Sequence, residues 1–183
     1  YKSRHFPLLK AFFDMFSTIF DIPETNPLNY NSRKTSKGVT MIAMNQKPPR
    51  YQTKHKVITD LFTPVPTKAE AEKYKLPQEK VDFFKNNGYL PNNKIINQEQ
   101  LDQLRVSLED IVHGRNPFKE ELISGSTIEP EKGFAYFQGA WYIDKFFHDL
   151  IFQPSITVPI TQLLGTTKVR FWHDQIFYKP AKI

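Results

Sequence analysis

Residues 141–180 read WYIDKFFHDLIFQPSITVPITQLLGTTKVRFWHDQIFYKP, and the fold class turns on how that stretch is parsed. Its end, Lys168 to Lys179, is crowded with β-branched and aromatic side chains, the composition of a half-buried strand. Period-two alternation places His173, Gln175, Phe177 and Lys179 on one face of that strand, and Trp172, Asp174, Ile176 and Tyr178 on the other. Upstream, Pro154 suits the first turn of a helix and Gly165 suits its stop, which predicts a helix from Pro154 to Leu164. Another helix is expected from Ile143 to Phe152. Helices therefore lead into a strand, an α+β arrangement.

Further upstream the pattern is also helical. Pro77 opens a predicted helix to about Asn87, with Val81, Phe83 and Phe84 as its apolar residues and Gly88 just past its end. Tyr89 to Ile96 reads as extended, broken by Pro91. Asn97 then caps a second helix in which Leu101, Leu104, Leu108, Ile111 and Val112 recur at three- and four-residue steps, and His113-Gly114 ends it. Residues 114–133 read as a polar loop.

Before Pro77 the texture differs. Pro48, Pro49, Pro64, Pro66 and Pro77 make residues 45–78 mostly extended, with a turn or two of helix around Lys68 to Tyr74. Phe6 to Phe20 carries two adjacent apolar rows and predicts a short helix ended at Ile22-Pro23. Its polar face is thin and weakly basic, which favours a buried or partner-packed helix over an interfacial membrane anchor. Pro23 to Gly38 reads as a loop, and Val39 to Met44 as a short strand. The chain thus divides into a basic, Pro-rich lead-in over 1–76 and a second unit over 77–183. It contains no internal repeats.

Composition narrows the chemistry. The 183 residues are 39% hydrophobic with 16 Phe, enough apolar side chain to bury a core. There is no Cys, which removes disulfide scaffolds, zinc–thiolate sites, iron–sulfur clusters and thiol nucleophiles while leaving the compartment open, with a cytoplasmic location the default expectation. No apolar run approaches the ~20 residues that cross a bilayer, so stable membrane insertion is not expected. No glycosylation sequon occurs. Tyr1 rather than Met comes first, which reads as a chain cut or processed upstream.

Charge is uneven. Residues 1–80 hold 14 Lys/Arg against 7 Asp/Glu, net +7, whereas residues 81–183 hold 11 against 12, net −1. A basic arm that binds anionic partners is one reading. Scattered Lys among Pro and Thr, with no basic helix face, favours a solvated lead-in, and no nucleic-acid partner is expected.

Motifs of common catalytic classes are missing. Seven Gly form neither a phosphate-cradling loop nor a dinucleotide fingerprint, and no Gly-x-Ser-x-Gly elbow occurs. The five His are His5, His55, His113, His148 and His173; none has Asp or Glu two positions later, and none pairs with another at helical metal-ligand spacing. His148-Asp149 and His173-Asp174 are adjacent pairs. Neighbours diverge by about 100° on a helix and point to opposite faces of a strand, so both are expected to be a core-edge His beside a solvated or capping Asp.

The stretch 141–180 nonetheless resembles a known pattern: an aspartate and a phenylalanine before "DLIFQP", then "LLG" at Leu163–Gly165, then a strand ending in "HDQ…KP" at His173–Pro180. "VDFFKNNGYL" at 81–90 and "INQEQLDQLRVSLEDI" at 96–111 fit the same pattern's opening helix, turn and second helix. Together they resemble the N-terminal portion of the phytanoyl-CoA dioxygenase family, over residues 77–183. The resemblance implies an iron(II)- and 2-oxoglutarate-dependent enzyme built on a double-stranded β-helix, or jelly roll, of which this chain holds the leading helices and first strand or strands. It implies hydroxylation of a small organic substrate at a C–H bond, with 2-oxoglutarate decarboxylated to succinate.

That pattern puts its first iron ligands, a His-x-Asp pair, shortly after the "KP" at Lys179-Pro180, and its distal His and cosubstrate Arg much later. The chain is therefore expected to hold no metal ligand, to carry neither iron(II) nor 2-oxoglutarate outside the complete enzyme and to be inactive alone, and His173-Asp174 is at the wrong spacing for the iron pair. The resemblance does place Gln175 and His173 as cosubstrate-binding positions, since a neutral amide can donate to a carboxylate without titrating. The final strand is expected to keep an open edge through which copies could self-associate. A non-catalytic folding or binding module, and the basic-arm binder, are the alternatives.

Overall fold

A computed structural model describes residues 49–91, 93–123 and 125–179; the helix, loop and strand expected within 6–44 lie outside them. Two short 3-10 and helical turns come first. Tyr51–Thr53 forms a 3-10 turn, and α1 (Lys68–Ala71) starts on a capping box in which Thr67 and Glu70 satisfy each other's backbone N–H groups, then tightens into a 3-10 turn over Glu72–Tyr74. α2 (Gln78–Asn87) begins after Pro77 and ends on Gly88, whose φ of 80° is the left-handed conformation that glycine adopts without a Cβ clash.

α3 (Gln98–Val112) is the longest helix, and every local signal supports it. The Asn97 side chain accepts the Gln100 N–H at 2.8 Å, and the Gln100 side chain accepts the Asn97 N–H at 3.0 Å. Leu104, Leu108, Ile111 and Val112 lie on one face and are buried. The next elements are β1 (Thr127–Glu129), β2 (Phe134–Gln138), α4 (Ala140–Ile143), α5 (Lys145–Leu150), α6 (Pro154–Leu164) and β3 (Gln175–Tyr178).

The three strands form one antiparallel sheet in the order β1-β2-β3. Its inner face brings Ala135, Phe137 and Ile176 against Leu104, Leu108 and Ile111 of α3, Ala140 and Ile143 of α4, and Phe147 and Leu150 of α5. Helices cover this face, and the other is half-exposed. The class is α+β: helices packed on one side of a three-stranded antiparallel sheet. No helix among the described residues is long and apolar enough to cross a membrane.

Several expectations need correction. The polar loop over 114–133 contains β1 and two 3-10 turns, because the Thr127–Glu129 backbone pairs with β2. β2 itself was not expected. The helix over 143–152 is broken at Asp144, which takes extended φ, ψ angles of −130° and 129° and caps α5 by accepting the Phe146 and Phe147 N–H groups. Of the strand over 168–179, only Gln175–Tyr178 is paired; residues 168–174 have no ladder partner among the described residues. Residues before and after Pro77 also meet. Phe62 is buried in the same cluster as α3 and the sheet, and Leu76 exchanges two backbone bonds with the Gln162 side chain of α6, at 2.8 and 3.0 Å.

Candidate functional site

The outward face of the sheet carries Phe134, Tyr136 and Gln138 from β2, with Gln175 and Phe177 from β3. Register sets Gln138 opposite Gln175 and Tyr136 opposite Phe177. The Tyr136 and Phe177 rings lie 4.9 Å apart, the spacing of a favourable tilted aromatic pair. The Tyr136 hydroxyl accepts Gln175 Nε2 at 3.1 Å and also accepts Gln138 Nε2.

This arrangement has a chemical consequence. With both amides donating into its oxygen, the Tyr136 hydroxyl keeps its own proton for an outward partner, and each amide keeps a second N–H. Three hydrogen-bond donors on a half-exposed face can bind a carboxylate. Phe134 and Phe177, 43% and 54% exposed, flank the donors with apolar surface.

Of the two cosubstrate positions expected from sequence, Gln175 is therefore in a polar cluster. His173 is not joined to it: the residue precedes β3, is half-buried, and its ring lies 6.3 Å from Trp172, which is 84% exposed. No hydrogen bond links His173 to Gln175 among the described residues. Tyr136 and Gln138 were missed by sequence reading. The available signal was the aromatic run Phe134–Gln138 between Gly133 and Gly139, each with positive φ.

The acidic residues that follow are structural. Asp174 accepts the Gly139 N–H at 2.6 Å and the Trp141 N–H at 2.9 Å, so it caps α4 from a distant point in the chain. Burial pushes its carboxyl up; the Trp141 and Gly139 N–H groups, its own backbone N–H and the nearby His173 pull it partly back. Asp144 is likewise raised by burial, against the pull of the Phe147 N–H, the Ser107 hydroxyl, the Phe146 N–H and Lys145.

His148 and Asp149 differ from the expectation of a core-edge His beside a solvated or capping Asp. Both side chains are 0% exposed and bonded to each other, with His148 Nδ1 2.9 Å from Asp149 Oδ1. Asp149 also accepts the Ile58 N–H at 2.9 Å, the Thr59 N–H at 2.7 Å and the Thr59 hydroxyl at 2.6 Å. His148 Nε2 lies 3.0 Å from the Lys54 carbonyl oxygen. Both ring nitrogens face acceptors, so both contacts are hydrogen bonds when each nitrogen holds a proton. The pair fastens residues 54–59 to α5. It is a clamp with no lone pair left over for a ligand on its carboxylate.

Among the described residues no group of three His, Asp or Glu converges; both carboxylate oxygens of Asp149 and of Asp174 accept backbone N–H groups, and Asp144 Oδ1 accepts two. Carboxylate recognition at Tyr136, Gln138 and Gln175 does fit the residues present. No protein-family model matches the chain, and no curated protein matches it.

Proposed function

We propose that this chain is part of an iron(II)- and 2-oxoglutarate-dependent dioxygenase similar to the phytanoyl-CoA dioxygenase family, and that its sheet is the start of a jelly roll. The observation that carries the reading is the hydrogen-bonded Gln175–Tyr136–Gln138 cluster on the sheet face turned away from the helices. It stands at the position where the sequence resemblance puts the cosubstrate wall. In such an enzyme the iron and 2-oxoglutarate supply the oxidising chemistry for hydroxylating a small organic substrate. The described residues supply a wall: Gln175, Gln138 and Tyr136 donate to a carboxylate oxygen, while Phe134 and Phe177 keep water from its flanks. His173 has a weaker claim, since it stands apart from the cluster. The resemblance puts the iron ligands after Lys179-Pro180, so no step of the chemistry is assigned to the described residues.

Two measurements test this. Ligand-observed NMR with 2-oxoglutarate and the product of the full reading frame reads the wall directly: Gln175→Leu removes a hydrogen bond to a charged group, about 1.5–3 kcal/mol, and weakens 2-oxoglutarate by roughly 10- to 150-fold. Unchanged binding in that variant removes Gln175 from the wall. The second is the reading frame after Ile183. A His-x-Asp or His-x-Glu within roughly 15 codons, with iron-dependent succinate release by the product of that frame, supports the enzyme; a stop codon there with no succinate leaves a non-catalytic binding module as the reading.

A further inference from the structure

A second concave region lies away from the sheet, where the 3-10 turn at Glu72–Tyr74, the start of α2, the loop at Asn93–Lys94 and the start of α6 line an open cleft of about 200 Å³. Four of its lining residues are lysines: Lys73, Lys75, Lys80 and Lys94. No aspartate or glutamate lines it. Lys75 is paired with Glu72 at 2.7 Å, whereas Lys73, Lys80 and Lys94 form no ion pair among the described residues. Lys80 is half-buried and donates to Asn93 Oδ1 at 3.4 Å, which holds its ammonium at the cleft wall.

The floor is rigid. Leu76 and Pro159 are buried in it, Leu76 is tied to Gln162 through both backbone groups, and the Ser155 hydroxyl donates to the Ile95 carbonyl. Lys73 and Lys94 are exposed and Lys80 is half-buried, and three cations that line one concave space repel one another, a repulsion that a small anion between them relieves. Charge count selects the anion: ammonium groups act as point charges, and three of them are better neutralised by a phosphate monoester, at about −1.5 to −2, than by a single carboxylate.

We propose that the Lys73–Lys80–Lys94 cleft binds the terminal phosphate of a phosphorylated ligand. This site is separate from the sheet face, and its test is independent of the dioxygenase reading. The shared chemistry is a phosphate monoester or diphosphate, free in solution or on a lipid headgroup.

Calorimetric titration of the folded chain with pyrophosphate, at low and at physiological salt, tests it beside sedimentation with phosphatidic acid vesicles. The expected result is saturable binding in at least one arm, weakened at least about tenfold by the triple substitution Lys73→Gln/Lys80→Gln/Lys94→Gln. Lys80→Arg, which keeps the charge, should retain most of it, and Lys132→Gln, on the far side of the sequence from the cleft, should leave it unchanged. Pyrophosphate binding identifies a free ligand, and vesicle binding alone a lipid source. No binding in either arm, or binding that the folded triple variant retains, overturns the proposal. Circular dichroism melting of each variant establishes that it is folded.

Discussion

Two His-Asp dipeptides, identical in sequence, meet opposite fates in this fold. His148-Asp149 sits on α5 in the core, both side chains wholly enclosed and bonded to each other. At His173-Asp174, on the approach to β3, the residues part: Asp174 turns to the Gly139 and Trp141 N–H groups, and His173 stays half-buried beside an exposed Trp172. What separates them is the set of unpaired backbone groups each aspartate meets. Asp149 meets the N–H groups of an incoming segment at Ile58 and Thr59, and Asp174 meets the N-terminus of a four-residue helix. A buried carboxylate is tolerated where donors surround it, and in both places the backbone supplies them.

The comparison breaks most readily at Asp149. Asp149→Ala removes four hydrogen bonds and strands His148 in the core, and should cost about 3–5 kcal/mol in denaturant unfolding. A loss below about 1 kcal/mol would mean that residues 54–59 are held by packing instead.

The two sheet faces give the next effect. Ile176→Ala empties a buried site and should cost about 2–4 kcal/mol, while its neighbour Phe177→Ala, exposed and touching Tyr136, should cost under about 1 kcal/mol. If the two exchange values, the inner and outer faces are reversed. Asp174→Asn should then cost about 1–3 kcal/mol, less than Asp149→Ala, because an amide oxygen can still accept one of the two N–H groups.

The smallest effect is on pH dependence. The carboxyls of Asp144 and Asp174 are held above their ordinary 3.8 in the folded chain. Between that value and the raised folded values, the folded state binds more protons than the unfolded one. Each group therefore makes stability fall as pH rises through this window, and contributes most below it. Asp144→Asn/Asp174→Asn should flatten that decline in melting temperature from acid pH upward; an unchanged slope would assign it to other groups. At neutral pH, light scattering at rising concentration reads the edge of β3 that has no strand partner among the described residues, where Phe177→Lys should lower any self-association.

Much of the helical part was legible in the sequence. Asn97 with Gln100, Gly88, Pro154 and Gly165 all act within one or two turns of chain, and local signals of that range are what a sequence displays. β2 was not, because Phe134, Ala135, Tyr136 and Phe137 are apolar on both faces and show no alternation. The break at Asp144 was hidden for a similar reason: the apolar run on either side of it looks continuous, and only the N–H groups of Phe146 and Phe147 show that Asp144 is a cap.

The candidate site shows the same division. The strand face of Gln175 was readable from period two and its candidacy came from the resemblance, but its partners Tyr136 and Gln138 arrive through antiparallel register, 39 and 37 residues earlier in the chain. By itself the sequence determined an apolar supply sufficient for a core, the helix ends, the face on which Gln175 stands and the excess of lysine before residue 81. Tertiary structure alone decided that Phe62 joins that core, that Asp149 closes on Ile58 and Thr59, and that Lys73, Lys80 and Lys94 share one cleft. Caps and periodicity act between neighbours, whereas desolvation and charge clustering depend on segments that meet only after the chain has folded.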